Sequence, residues 1–136
     1  MPPKSDTTAS LDTRHAEELG GEPVIDRATF SILESLADED DPDLVAEIVQ
    51  LFLEDSAIRM AQIKEGAGGG NADSIQAAAH ALKSASANVG ALCLSAVCAK
   101  IEGVATSCEE SELTALVDMA VQMHADVRRV LSVQAA

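Results

Sequence analysis

Apolar residues recur every three or four positions along most of this chain, which is the spacing of one face of an α-helix. Residues that can begin or end a helix divide the pattern into separate segments. Their predicted ranges are 26–37, 42–64, 71–89, 92–107 and 109–133. Short connections between amphipathic helices predict an all-α fold, an antiparallel up-down-up-down four-helix bundle with a short additional N-terminal helix as a lid.

Specific residues set the predicted boundaries. Asp41, which is followed by a proline, can cap the second helix. Asn71 or Asp73 can cap the third helix, and Gly90 can end it in a left-handed conformation. The glycine-rich run 66–70 predicts a flexible turn, because each glycine costs about 1 kcal/mol against alanine inside a helix.

The same spacing predicts the side chains of the core. In the first two helices the apolar stripe includes Leu36, Leu51 and Ile58. In the third helix the stripe consists of Ile75, Ala78, Leu82, Ala85 and Val89.

The amino-acid composition restricts which side chains can form the core and which partners the protein can bind. Hydrophobic residues make up 47% of the 136 residues but aromatic residues only 1%, so the core must be aliphatic, which favours packed helices over a β-sandwich. The formal net charge of −14 disfavours nucleic acid and anionic membranes as partners. The sequence contains neither a bilayer-spanning apolar run nor a signal peptide, so we expect a cytoplasmic protein.

The chain is expected to contain one folded domain, residues 25–136. Residues 1–24 have no apolar period and are predicted to be a disordered tail. His15 lies in this tail, without neighbours to orient it, and is expected to have no chemical role. Because the chain starts with Met and carries no kinase pattern, we expect a separate protein and not a fragment of a hybrid kinase.

The cysteines and the acidic run favour neither a disulfide nor a metal site. Cys93 and Cys98 lie about 140° apart on one predicted helix, and Cys108 is left over. We expect small buried or half-buried hydrophobic residues at these positions. The run 38–41 lacks the ligand spacing and the glycine of an EF-hand loop, so it is interpreted as a solvated loop.

One face of the third predicted helix combines polar chemistry with open space. At about 100° per residue, Lys83, Ser84 and Ala87 lie within roughly 60° of His80, and the apolar stripe lies more than roughly 130° away. His80 is therefore predicted to point outward. An ammonium one turn from an imidazole can offset the charge of an incoming phosphoryl group.

The stretch 80–91 reads His-Ala-Leu-Lys-Ser-Ala-Ser-Ala-Asn-Val-Gly-Ala. It resembles the signature of the histidine-containing phosphotransfer (HPt) family, in which His-x-Leu/Phe-Lys-Gly/Ser precedes small residues and a glycine. The resemblance covers roughly residues 26–133. It continues after the signature through Leu92, Leu94, Cys98, Ile101 and Glu102. Ser84 stands where the family most often has glycine, which keeps the position small.

The resemblance implies a role for each residue of this face. His80 would accept the phosphoryl group and Lys83 would stabilise it. Ala81, Ser84 and Ala87 would form a low surface on which a receiver domain docks. The protein would be a phosphocarrier and not an enzyme, since no second acid, base or nucleophile accompanies His80 on its face. It would need no cofactor, because the acceptor aspartate and Mg²⁺ belong to the receiver.

The implied partners are response-regulator receiver domains and a hybrid sensor histidine kinase. The protein is expected to bind them as a monomer. Two alternatives stay open. One is a helical interaction module that binds receiver or kinase domains without carrying phosphate. The other is an acidic four-helix adaptor with no link to phosphosignalling.

Three further residues need a prediction. His124 falls beside the apolar stripe of the last helix and is expected to pack against the core. Glu102 is expected on a solvated face, although the resemblance allows it a structural bond within the bundle. Lys100 could add positive potential or be an ordinary surface residue.

Overall fold

The computed structural model describes residues 24–37, 41–107 and 110–135, and within these ranges it contains five helices and no strand. They are α1 (Arg27–Leu36), α2 (Leu44–Gly69), α3 (Ala72–Asn88), α4 (Leu92–Val104) and α5 (Glu110–Ala135). The predicted tail lies outside the described residues, except for Val24, which is half-buried against the core.

The four longer helices form the bundle. Residues 70–71 join α2 to α3 and residues 89–91 join α3 to α4, so the chain must reverse direction at each connection. Consecutive helices pack side by side, and α5 closes the ring against α2. The short α1 packs against α2 and α3. The predicted all-α bundle with an additional N-terminal helix is confirmed.

The core is aliphatic, as the composition requires. Phe30 and Phe52, the only aromatic residues of the chain, are both buried. Three polar side chains of the described residues are buried with them, Ser56, Ser86 and His124. The other buried side chains are Leu, Ile, Val, Ala, Met and Cys, which lets neighbouring helices approach closely.

Side chains cap the N-termini of two described helices. The Asp26 carboxylate accepts a hydrogen bond from the Thr29 N–H at 2.9 Å at the start of α1. Hydrogen bonds from the Thr29 hydroxyl and backbone N–H hold the pKa of Asp26 below its ordinary value. At the start of α3, the Asn71 side-chain oxygen accepts from the Ser74 N–H at 3.1 Å. Asn71 is therefore the cap, and not Asp73.

The second helix differs from its prediction at both ends. It begins at Leu44, beyond the predicted Asp41 cap, because Asp41 instead forms a turn in which its carbonyl accepts from the Leu44 N–H at 3.3 Å. It also continues through the glycine run and ends where Gly70 has φ +71°. A Cβ on Gly66 would lie 2.7 Å from Ile75 Cγ1. Close packing of α2 on α3 thus offsets the low helix propensity of this run.

Three predicted core residues are exposed. Leu36, Leu51 and Ile58 are 60%, 65% and 56% exposed. In α2 a single face, which includes Val49 and Phe52, supplies the buried contacts, so Leu51 and Ile58 on its other side stay exposed. The prediction that these three residues belong to the buried apolar stripe was wrong.

The end of α3 anchors the start of α1. Gly90 has φ +85°, its N–H donates to the Ala87 carbonyl at 3.2 Å, and the Ala91 N–H donates to the Ser86 carbonyl at 2.9 Å. The Gly90 carbonyl accepts from the Asp26 N–H at 2.7 Å. A Cβ on Gly90 would lie 2.9 Å from the Asp26 carbonyl oxygen. The predicted left-handed glycine is therefore confirmed, and it also leaves space for α1.

Replacing Gly90 by Ala should lower the free energy of unfolding by about 1 to 2 kcal/mol, because Ala is strained at positive φ and its Cβ would meet Asp26. Gly68→Ala is the matched control. Gly68 lies inside α2 with open space around it, so this change should raise stability by about 0.5 to 1 kcal/mol. Urea denaturation of both variants measures the two effects, and equal changes of the same sign would contradict the account of Gly90.

Candidate functional site

His80 points out of the bundle, as its helical phase predicts. Its side chain is 63% exposed. Ile75 and Leu82, which lie on the opposite face of α3, are buried in the core. The backbone of α3 therefore fixes the direction of His80 through residues that take no part in its chemistry.

A carboxylate from the neighbouring helix holds the histidine. Glu102 of α4 contacts His80 Nδ1 through Oε2 at 2.8 Å. Its other oxygen, Oε1, accepts a hydrogen bond from Lys83 Nζ, also at 2.8 Å. The Glu102 side chain is only 24% exposed, so it occupies an interhelical position and not the expected solvated face. We call these three side chains, His80, Lys83 and Glu102, the His–Lys–Glu cluster.

The charge of Glu102 determines where the histidine carries its proton. Hydrogen bonds from Lys83, and secondly from His80, hold the pKa of the Glu102 carboxyl below its ordinary value. An ionised carboxylate can only accept hydrogen bonds, so a neutral His80 donates from Nδ1–H. Nε2 then has the lone pair. No described residue forms a hydrogen bond with Nε2, which leaves this nitrogen available as a nucleophile.

Lys83 lies beside the histidine but is not free. Its side chain is 33% exposed and its ammonium binds Glu102. An ammonium has three protons, and this contact uses one of them. Lys83 can therefore donate further hydrogen bonds to an anion at His80 while it stays near the carboxylate.

Two additional contacts fix α3 against α4 beside the cluster. The Ser95 hydroxyl donates to the Lys83 backbone carbonyl at 2.9 Å. The Gln76 side-chain amide donates to the Glu102 backbone carbonyl at 3.4 Å, a weaker contact. Sequence reasoning missed Ser95 and Gln76, because periodicity along one helix does not reveal which residue of the next helix lies opposite.

The surface around His80 is made of small side chains. Ser84 is exposed, and Ala81 and Ala87 are half-buried. All three lie on α3 within two turns of His80. Lys100, the remaining candidate cation of this region, is exposed on α4, with no ion pair among the described residues. The predicted docking face is therefore a surface of small side chains, and the docking of a receiver on it stays a prediction.

His124 occupies a very different environment. It is 7% exposed in α5, and its Nε2 lies 2.9 Å from the Ser56 hydroxyl of α2. Burial, followed by the positive charges of Arg128 and Lys64, lowers its pKa to about 4. The prediction that His124 packs against the core is confirmed. His15, the third histidine, lies outside the described residues.

The remaining candidates are structural where the structure describes them. Cys98 is buried, and burial raises the pKa of its thiol to about 12, while Cys93 is half-buried. Cys108 and the acidic residues 38–40 lie outside the described ranges. Within 24–37, 41–107 and 110–135 no group of three His, Cys, Asp or Glu side chains could hold a metal ion. The described helices include none with the length and hydropathy needed to cross a bilayer.

The fold and the site together define a four-helix-bundle domain that presents an exposed histidine, oriented by a carboxylate, on its third helix. Residues 47–132 match the sequence profile of the Hpt domain, and this chain belongs to the Hpt domain family. Members of this family act in histidine phosphotransfer within phosphorelays. A search of curated proteins by sequence found no match.

Solved structures share the fold. The chain resembles histidine-containing phosphotransfer protein B (HptB) from Pseudomonas aeruginosa PAO1 with a TM-score of 0.76 and 24% identity, covering 83% of this chain and 95% of that chain. It resembles histidine-containing phosphotransfer protein ZmHP2 from maize with a TM-score of 0.71 and 19% identity, covering 90% and 96% of the two chains. At this level of identity the likeness concerns the fold.

The buried His124 should make stability depend on pH. In the unfolded chain His124 binds a proton near pH 6.5, but in the folded protein only near pH 4, so folding is weakened as the pH falls through this window. We expect a loss of about 2 kcal/mol between pH 7 and pH 5. Urea unfolding at both pH values measures the loss. This loss of stability should be much smaller in His124→Leu. An unchanged loss in that variant would contradict the assignment of the pH dependence to His124.

Proposed function

We propose that this protein relays a phosphoryl group between aspartates of receiver domains through a phosphohistidine at His80. One observation carries the proposal: Glu102 binds Nδ1 of an exposed histidine and so leaves Nε2 with its lone pair. Membership of the Hpt domain family supports it, because the family is associated with this transfer.

In the proposed transfer this chain contributes the nucleophile and its surroundings. Nε2 attacks the phosphorus of a receiver's aspartyl phosphate, the bond from phosphorus to the aspartyl oxygen breaks, and its electron pair stays on the aspartate. Lys83, which lies next to His80 and keeps donors to spare, meets the phosphoryl oxygens. The receiver supplies the aspartate and the Mg²⁺ that neutralises the phosphoryl charge, so the carrier is not an enzyme on its own and needs no cofactor.

The docking surface follows from the space around His80. Ser84, Ala81 and Ala87 leave room for the rim of a receiver's active site to reach Nε2. A receiver phosphorylated by a hybrid sensor histidine kinase would supply the phosphoryl group, and a response regulator would take it. The net charge of −14 makes nucleic acid a poor partner for this carrier.

His80→Gln should abolish phosphoryl uptake while changing the free energy of unfolding by no more than about 0.5 kcal/mol, since the side chain is mostly exposed. The measurement is transfer of ³²P from a phosphorylated receiver, with urea unfolding of the same samples. His15→Gln is the matched control and should take up label normally. Label that persists in His80→Gln, or a receiver that binds both proteins without any transfer, would overturn the proposal in favour of another acceptor or a non-phosphorylated binding module.

Ser84→Arg should block docking without harming the bundle, because Ser84 is exposed and Arg is a good helix former. Steric exclusion of the receiver should reduce the transfer rate about tenfold or more, which corresponds to about 1.4 kcal/mol of lost interaction. Ala61→Arg places the same side chain at an exposed position of α2 and should leave the rate unchanged. Equal rates in the two variants would place the docking face elsewhere.

A further inference from the structure

One end of the bundle contains a cavity that the proposed phosphotransfer does not use. It has a volume of about 260 Å³ and lies where α2 and α4 end and where α3 and α5 begin. Ala67 and Gly70 line it from α2, Ala72 lines it from the start of α3, and Ala105 lines it from the end of α4. Because these residues have little or no side chain, the space between the helix ends is not filled.

The inner wall of the cavity is apolar. Ile75 and Ala105 are only 1% and 6% exposed, and Val104 and Leu113 are half-buried. Gly70, at the rim, is exposed, so the cavity can be entered from solvent. A closed apolar cavity of about 150 Å³ can hold one benzene molecule. By the same proportion, this cavity can take a ligand of about ten non-hydrogen atoms.

The rim of the cavity has a negative charge. Glu110, in the first turn of α5, lines the cavity and is exposed. Within the described ranges it forms no ion pair with a Lys, Arg or His side chain. Two helices end and two helices begin around the cavity, so the partial charges of the helix ends offset one another. The Glu110 carboxylate therefore supplies the full charge among the lining residues.

The charges next to the cavity favour the same kind of ligand. The described charged residues within three positions of a lining residue along the chain are Lys64, Glu65, Asp73, Glu102 and Glu112. Glu102 is already bound to Lys83, which leaves three carboxylates against one ammonium. The whole chain has a net charge of −14. The field at this end of the bundle therefore attracts cations and repels anions.

We propose that this cavity binds a small organic cation, which has an ammonium group on an aromatic or branched aliphatic body. The body packs against Ile75, Val104 and Leu113. The ammonium lies beside the Glu110 carboxylate, which attracts it and accepts its hydrogen bonds. His80 is not among the lining residues, so binding here does not depend on the proposed phosphotransfer.

Three probes with the same phenethyl body and different charges test the proposal: phenethylammonium, phenethyl alcohol and hydrocinnamate. Each is titrated into ¹⁵N-labelled full-length protein up to about 10 mM, and the amide chemical shifts are followed. Phenethylammonium should bind with a Kd of about 1 mM and shift the amides of Gly70, Ala72, Ala105 and Leu113. The alcohol should bind about three- to fivefold more weakly, because it lacks the attraction of a partly exposed charge pair. The anionic hydrocinnamate should bind most weakly.

Glu110→Gln tests the role of the charge. This change should weaken phenethylammonium about three- to fivefold and leave the affinity for phenethyl alcohol unchanged. Glu47→Gln is the matched control. Glu47 is also an exposed acidic residue in the first turn of a helix, but it lies at the start of α2, at the opposite end of the bundle from the cavity. The control should keep the wild-type affinity for both probes.

Ala67→Leu tests the cavity itself. Leu is a good helix former, and its side chain would occupy the space that the ligand needs. Both phenethylammonium and the alcohol should bind about tenfold more weakly or worse. Ala61→Leu places the same side chain at an exposed position of α2 outside the cavity and should leave binding unchanged. Ala72→Leu fills the cavity from α3, and it replaces the first variant if urea denaturation shows that Ala67→Leu does not fold.

Four results would each overturn the proposal. The first is the absence of shifts at the cavity amides with phenethylammonium, and the second is an alcohol or a carboxylate that binds as tightly as the ammonium. The third is unchanged ammonium binding in Glu110→Gln. The fourth is wild-type affinity in a folded cavity-filling variant. None of these measurements involves phosphate or a receiver, so their failure would leave the proposed function standing.

Discussion

The close approach of α3 and α4 is the constraint on which the site depends. The buried face of α3 has three small side chains, Ala78, Ala79 and Ser86, beside Ile75 and Leu82, and the separation of packed helices is set by the size of the side chains between them. Because the helices are near each other, one glutamate of α4 reaches two residues of α3 at 2.8 Å. Larger residues on this face would move α3 away from helices that it packs on, and the two 2.8 Å contacts of Glu102 depend on the separation of α3 and α4.

The sequence predicts most of the fold because each helix has one apolar face and its own boundary residues. Gly90 is a clear case, since an unstrained left-handed position calls for glycine. Local helix propensity predicted the wrong end for α2, because tertiary packing outweighs it there. The glycine run continues α2, in which Gly66 packs on Ile75. The outward direction of His80 follows from helical phase alone. The bond to Glu102 does not, because 22 residues separate the pair and only the packing of α3 on α4 brings them together.

Two histidines of the described residues have different roles because their surroundings differ. His124 is surrounded by the core, and burial lowers its pKa to about 4, so it remains neutral and serves as a hydrogen-bond partner of Ser56. His80 is exposed, and a charged neighbour fixes the position of its proton instead. Burial keeps His124 out of contact with other molecules, whereas the Glu102 carboxylate orients His80 and leaves its ring exposed. Replacement of the exposed histidine should therefore affect transfer, and replacement of the buried one should affect folding.

The charge balance of the His–Lys–Glu cluster fits a carrier better than a storage site. Glu102 and Lys83 neutralise each other when His80 is neutral, so the site has no excess positive charge with which to trap a phosphoryl group. In the proposed relay, Lys83 keeps its bond to Glu102 and meets the phosphoryl oxygens with its remaining protons. Its positive charge is already balanced by Glu102, which limits the net stabilisation of phosphohistidine. A carrier whose phosphorylated form is only moderately stabilised can give the group to the next aspartate as readily as it received it.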